Sequence, residues 1–311
     1  MVRIAYLGPE GTFTEAALIQ IVADGLVPDH DPGAAQRLSV ESAPAALDAV
    51  RDGSADFACV PIENSIDGSL APTLDSLAIG SPLQVFAETT LDVAFSIVVR
   101  PGRSAADVRT LAAFPVAAAQ VRSWLTAHLP ETELCPAYSN ADAARQVADG
   151  QVDAAVTSPL AAQHWALESL ADGVVDESSA RTRFLLIGPP GRPPARTGAD
   201  RTSAVLRIAN MPGALVQALT EFGMRGIDLT RIESRPTRTG LGTYMFFVDC
   251  LGHIDDDAVA EALKALRRRC ADVRYLGSWP TGQADGVHPH PPDEASIWLA
   301  RLRGGKQESG R

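Results

Sequence analysis

The chain has 311 residues, 46% of them hydrophobic and 21% charged, enough for two or three domains with ordinary buried cores. Its formal net charge is −11, and it has no long basic run. That balance argues against nucleic acid or an anionic membrane as the main partner, so an anionic substrate would need a local cluster of arginines. Four cysteines form no CxxC pair and share no metal-ligand spacing with the six histidines. There is no signal-peptide core and no apolar stretch long enough to span a bilayer, so the expectation is a soluble, cytoplasmic protein.

Residues 2–7 form a short apolar run bounded by Gly8-Pro9, the pattern of a buried strand. Gly8-Pro9-Glu10-Gly11-Thr12-Phe13-Thr14 follows, then helical periodicity from Glu15. A strand, a glycine-containing loop and a helix start make an anion-binding geometry, because free amides point out of a helix N-terminus. Thr14 is the expected N-cap and Thr12 a ligand donor. Simple capping and ligand binding both account for the pattern, which is neither a Walker A loop nor GxGxxG.

Residues 42–51 read as a helix ended by Gly53, and residues 55–62 as a buried strand. That strand runs into Pro61-Ile62-Glu63-Asn64-Ser65-Ile66-Asp67-Gly68-Ser69. Polar residues crowd its C-terminal end, where ligands lie in open α/β sheets. One of them is expected to cap the run 70–77, but capping does not explain so many in succession.

An internal repeat follows. Residues 42–61 align with 139–158 at a constant offset of 97, pairing Ser42 with Ser139, Asp52-Gly53 with Asp149-Gly150, and Asp56 with Asp153. Both copies read helix, Asp-Gly turn, buried strand, so two similar α/β lobes are predicted. Residues 93–99 form a strand crossing to the second lobe, 111–116 another strand, 119–127 a helix carrying Gln120, and 159–170 a helix. The chain returns through 176–183 into the apolar run 184–188. Two crossings imply a hinged cleft, the default ligand site. At the return crossing, Arg181-Thr182-Arg183-Phe184 puts a hydroxyl between two guanidiniums. Its bland alternative is a polar strand start with solvated arginines.

Residues 189–200, rich in Pro, Gly and Arg, read as a linker. Beyond it come a strand at 203–208, a helix at 213–223, strands at 227–235 and 243–250, a helix at 257–269 and a strand at 273–279. The order βαββαβ is ferredoxin-like. From Pro280 the tail reads as mobile, with one possible amphipathic helix at 294–302.

Five motifs now resemble a known family. Gly8 to Thr14, Pro61-Ile62-Glu63-Asn64-Ser65 with Gly68-Ser69, and Thr182-Arg183-Phe184 are similar to the three signatures of prephenate dehydratases. Gly213-Ala214-Leu215-Val216 and Glu233-Ser234-Arg235-Pro236 resemble the phenylalanine-binding motifs of that family's regulatory ACT domain. The resemblance implies an α/β fold: a two-lobed catalytic domain like type II periplasmic binding proteins over 1–189, then a ferredoxin-like ACT domain over 202–280. Lobe 1 would comprise 1–92 with 176–189, lobe 2 93–175, the linker 190–201 and the tail 281–311. No fused chorismate mutase domain is expected. One stretch departs from the pattern: many relatives have Ser-His-Pro where this chain has Ala113-Phe114-Pro115.

The resemblance further implies conversion of prephenate to phenylpyruvate with loss of water and carbon dioxide, without metal or organic cofactor. It implies allosteric regulation by L-phenylalanine bound at the ACT–ACT interfaces of a homodimer or homotetramer. Thr182, Arg183, Asn64, Gln120 and Glu63 are the expected catalytic set. Thr182 would hydrogen-bond the departing hydroxyl, Asn64 and Gln120 would orient substrate, and Arg183 would face a substrate carboxylate unless it is paired with Glu63 or Glu10. Thr12, Thr14, Ser65 and Phe184 are the expected substrate-binding residues, and Asn210, Gly213, Ala214, Leu215, Glu233 and Ser234 the expected effector pocket. Two other classes compete. A non-catalytic two-lobed binding protein would need an export signal or lipid anchor. An amino-acid-sensing regulator would usually carry a DNA-binding module.

Overall fold

The computed structural model describes residues 1–30, 35–177, 179–238, 240, 242–281 and 294–304. The chain divides into two compact units, Met1–Leu77 with Ala87–Pro189, and Ala78–Phe86 with Pro190–Arg311.

In chain order the elements begin with β1 (Val2–Leu7), α1 (Phe13–Ala23), β2 (Ala35–Val40), α2 (Ala43–Arg51), β3 (Phe57–Asn64), β4 (Gly68–Ser69), α3 (Ala71–Ala78) and β5 (Gln84–Asp92), all in the first unit except residues 78 and 84–86. The first unit continues through β6 (Phe95–Val99), β7 (Thr110–Ala113), α4 (Pro115–Gln120), α5 (Arg122–His128), β8 (Glu133–Pro136), α6 (Asn140–Ala148), β9 (Ala154–Thr157), α7 (Pro159–His164), β10 (Glu168–Val174) and β11 (Arg181–Gly188).

These strands form two sheets. Lobe 1 has the order β2-β1-β3-β11-β5, with β4 beside β3, and lobe 2 the order β10-β6-β9-β7-β8. In lobe 1, β1 is parallel to β2 and β3, and β11 is antiparallel to β3. In lobe 2, β7 is parallel to β8 and β9, and β6 is antiparallel to β9. The lobes thus share one strand plan, and the internal repeat is its local signature. Ser42 and Ser139 each cap a helix, accepting from the amides of Ala45 and Asp142 at 3.1 and 3.0 Å. Gly53 and Gly150 both turn the chain at φ near +75°, at 78° and 74°. Buried apolar strands such as Phe95–Val99 pack under helices whose buried faces are mostly alanine and valine.

Three expectations need correction. The first helix is capped by Thr12, whose hydroxyl accepts from the Glu15 amide at 3.3 Å, so Thr14 lies inside the helix. Residues 159–170 are not one helix: Ala166 takes a left-handed φ of 49°, and β10 then pairs antiparallel with β6. The stretch 119–127 is likewise broken, between α4 and α5, at Val121 with φ −121°. Strand pairing and burial override local helical preference over 159–170.

The second unit contains β12 (Asp200–Arg207), α8 (Ala214–Gly223), β13 (Leu229–Pro236), β14 (Tyr244–Leu251), α9 (Asp257–Arg269), β15 (Asp272–Pro280) and the helix α10 (Glu294–Arg303). Its sheet order is β13-β14-β12-β15, that of a ferredoxin-like βαββαβ unit. Ala218 and Phe222 of α8, and Val259, Ala262 and Leu266 of α9, repeat at helical spacing and bury against Ala204, Leu206 and Val248. Residues 78–86 belong here for a steric reason. A Cβ on Gly277 would lie 2.5 Å from the Val85 carbonyl oxygen, and the Arg274 guanidinium donates to the carbonyls of Ile79 and Gly80 at 3.0 and 3.1 Å. The expected tail helix falls on α10, and residues 282–293 and 305–311 lie outside the described residues.

Candidate active site

Between the two lobes of the first unit lies a cleft of about 810 Å³. Lobe 1 lines it with the loop after β1, with Pro61 and Leu70, and with Thr182 and Phe184. Lobe 2 contributes Phe114 and the segment from Tyr138 to Asn140 with Asp142.

The first wall follows from how α1 is capped. The Thr12 hydroxyl is committed twice, accepting from Glu15 and donating to the Leu7 carbonyl at 3.1 Å. Capping leaves the amides of Phe13 and Thr14 for a ligand or water. Thr14 is 5% exposed and lines the cleft, and its hydroxyl has no protein partner among the described residues. Behind the loop, the Glu15 carboxylate accepts from the Gly11 amide at 2.6 Å and pairs with Arg37 at 3.1 Å. Burial, and then the Glu15 charge, push the neighbouring Tyr6 phenol up to about 12. Burial also pushes the Cys59 thiol far up; its Sγ lies 3.8 Å from the Thr14 carbonyl oxygen.

The second wall is the antiparallel pair β3–β11, whose register sets Thr182 opposite Asn64 and Arg183 opposite Glu63. The Asn64 Oδ1 accepts from the amides of Ile66 and Asp67 at 2.8 and 3.0 Å, which orients its Nδ2 to donate to Thr182 Oγ1 at 2.9 Å. Thr182 Oγ1 therefore receives a hydrogen bond at one lone pair, and its own proton is free to be donated into the cleft. Ser65 closes the same turn, donating to the Ser179 carbonyl at 3.0 Å and accepting from the Arg181 amide at 2.9 Å.

The structure separates the expected residues. Thr12, Thr14, Thr182 and Phe184 line the cleft, and Asn64 touches it through Thr182. Arg183 does not line it. Its guanidinium is nearly buried between Glu63 at 3.0 Å and Glu88 at 3.3 Å, which is the ion-pair alternative, with Glu63 as expected and Glu88 in place of Glu10. Glu63 and Ser65 are likewise absent from the lining. Gln120, at the end of α4, lines a separate cavity of about 510 Å³ with Ile66, Val116 and Asp176, and its Oε1 is buried without a partner. The expected arginine cluster is also replaced: the lining holds carboxylates from Glu41 and Asp142 and no arginine, and anion-binding capacity rests with amides and hydroxyls.

Sequence reading missed Phe114, Tyr138, Ser139 and Asn140. The repeat held a usable signal for them, since Ser139 aligns with Ser42, whose neighbours Ser39 to Glu41 also line the cleft. Phe114 adds an apolar ring to a wall that Tyr138, Ser139, Asn140 and Asp142 otherwise make polar.

In the second unit, a cavity of about 120 Å³ is lined by Asn210, Ala214 and Leu215, together with Met211, Gly242, Tyr244 and Phe246. Gly213 caps α8 beside it with φ 79°. Glu233 and Ser234 on β13 do not line it, although Ser234 lies in register with Phe246.

These features have counterparts in known proteins. Residues 4–192 match the family model Prephenate dehydratase, and residues 202–268 match ACT domain. The chain is 84% identical over 309 residues to prephenate dehydratase of Mycobacterium marinum (strain ATCC BAA-535 / M), covering 99% of this chain and 98% of the relative. It is 81% identical over 308 residues to that of Mycobacterium tuberculosis (strain ATCC 25618 / H37Rv), covering 99% and 96%. The crystal structure of prephenate dehydratase in complex with L-Phe from Arthrobacter aurescens matches with a TM-score of 0.87 at 38% identity, over 98% of each chain. A two-lobed cleft walled by the expected motifs, followed by an ACT domain, thus coincides with full-length similarity to these enzymes, and the chain belongs to the prephenate dehydratase family.

Proposed function

We propose that the cleft converts prephenate to phenylpyruvate, water and carbon dioxide, with Thr182 donating to the departing hydroxyl. The observation that carries this reading is the Asn64–Thr182 hydrogen bond at the cleft lining, in which Thr182 is the acceptor and its own proton stays available to the substrate. In the reaction, the C–CO₂ bond of the ring carboxylate breaks and its electron pair enters the ring. The C–O bond at the opposite ring carbon breaks with uptake of one proton, and the ring becomes aromatic. A threonine hydroxyl is a poor acid, so Thr182 orients the leaving oxygen and relays a proton rather than supplying one outright. The side-chain carboxylate rests at the N-terminus of α1, on Thr14 and the free amides. Phe114, Phe184 and Leu70 give the ring an apolar berth. Arg183 serves through the ion-pair cluster that holds β11 in place.

The ACT unit adds regulation. L-Phenylalanine occupies the cavity at Asn210, Ala214 and Leu215 and inhibits turnover. A coupling of about 1–3 kcal/mol is the usual size for such effects. Met211, Val216, Met224 and Tyr244 are large apolar side chains left 49–67% exposed on this unit, which supports a homodimer or homotetramer assembled there.

The test is phenylpyruvate formation from prephenate by the purified chain, with and without L-phenylalanine. Turnover that falls as L-phenylalanine is added is the expected result. A folded chain that binds prephenate without converting it would overturn the catalytic reading.

A further inference from the structure

The loop that forms the first wall of the cleft belongs to lobe 1 by sequence, yet its contacts run to lobe 2. Ser158, 1% exposed at the N-cap of α7, donates its hydroxyl to the Gly11 carbonyl in a short hydrogen bond and accepts from the Ala161 amide at 3.0 Å. Gly11 has φ +87°, and a Cβ there would lie 2.8 Å from Ala161 Cβ and 2.9 Å from Ala161 Cα. Only glycine fits that approach. Glu10 lies 3.6 Å from His164 on the same helix. Two residues on, the Phe13 ring meets Phe95 edge-on at 5.7 Å and packs against the apolar core of lobe 2. From the other side, Glu15 holds the Gly11 amide.

We propose that α7, through Ser158, positions the anion-binding N-terminus of α1, so that this wall of the cleft is carried by lobe 2. The Gly11 peptide units are pinned at both ends: the amide by Glu15 of lobe 1, the carbonyl by Ser158 of lobe 2. Ser158 touches no cleft atom itself and is absent from the lining; it sets where the Phe13 and Thr14 amides point. Its loss therefore weakens capture of the carboxylate and spares the Thr182 step.

This rests on reading the cleft as the prephenate site, and the experiment separates the two. In Ser158→Ala, KM for prephenate should rise about tenfold, the size of one positioned hydrogen bond, with kcat within about twofold of the unaltered chain. Hydrogen exchange, which needs no substrate, should show the bonded amides of this turn, those of Gly11, Glu15 and Ala16, protected together with α7 in the unaltered chain. In Ser158→Ala their exchange should speed up about tenfold while β1 is unchanged. An unaltered KM with unaltered exchange in folded Ser158→Ala would overturn the proposal, as would a loss confined to kcat. If the variant does not fold, free exchange of the Gly11, Glu15 and Ala16 amides in the unaltered chain would overturn it, and protection would support it. Failure of the unaltered chain to convert prephenate counts against the functional reading alone.

Discussion

Asn64 donates to Thr182 across the β3–β11 pair at 2.9 Å, while its own carbonyl is held by the amides of Ile66 and Asp67. The amide cannot flip without losing two backbone partners, so the Thr182 hydroxyl accepts from Asn64 and keeps its own proton for another acceptor. Thr182→Ala should lower kcat on the order of a hundredfold or more, the usual cost of a lost positioned donor. Thr182→Ser should keep most of the activity. Asn64→Asp would put an acceptor where the donor was and draw the Thr182 proton away, so kcat should fall with KM little changed. Steady-state phenylpyruvate assays on the three variants decide this, and a fully active Thr182→Ala would remove Thr182 from the mechanism.

Arg183 sits between two carboxylates, with Glu88 nearly buried. Removing the cation leaves acids without their compensating charge, and breaking such a buried pair costs about 3–5 kcal/mol. Arg183→Leu should therefore shift the urea midpoint strongly, and Arg183→Leu with Glu88→Gln should recover part of the loss. Equal midpoints for Arg183→Leu and the unaltered chain would return Arg183 to the list of substrate ligands.

Asp56 and Asp153 occupy equivalent places in the repeat. Asp56 is held below the usual carboxylate range by its bond to the Arg3 side chain and then by the Arg3 amide. Asp153 is held down first by the Arg109 amide, with the Thr110 amide and hydroxyl adding to it against desolvation. A depressed folded pKa contributes stability above the unfolded pKa, and that contribution is lost as pH falls through the folded value. Asp56→Asn and Asp153→Asn should each be less stable at neutral pH, with the difference closing below about pH 4. Thermal melts between pH 3 and 7, on the order of the ordinary carboxylate range and above, would show it; a difference constant with pH would assign the loss to something other than charge.

Asn210 lines the small cavity of the ACT unit, the proposed effector site. Asn210→Ala should raise the L-phenylalanine concentration for half-inhibition by about tenfold, as for one lost hydrogen bond, without changing kcat in its absence. Calorimetric titration with L-phenylalanine checks the same point directly, and unchanged affinity would move the effector elsewhere.

Cys59 and Cys250 are buried, and burial holds both thiols far from ionisation, Cys250 at about 12. A thiol reagent at mild alkaline pH should spare both in the folded chain and modify them only after unfolding, because the thiolate is the reactive form. Half-buried Cys135 should react first. Fast labelling of Cys59 in the native chain would mean that the α1–β3 contact opens.

The sequence by itself determined the two-lobed plan and the ferredoxin-like unit. Apolar periodicity, Asp-Gly turns and the 97-residue offset are local patterns, and Ser42 with Ser139, or Gly53 with Gly150, act within a few residues of themselves. It also pointed to Thr14 and Thr182, which line the cleft, because each lies in a motif that adjoins a recognisable strand. Only the tertiary structure decided what the neighbouring charges do. Whether Arg183 faces a ligand or Glu88 depends on which strand lies beside β11, and Glu88 of β5 is 95 residues from Arg183 along the chain. The same holds for Ser158, which reaches Gly11 over a separation of 147 residues. Pairings at such separations follow from how lobes and strands pack, and no local preference records them.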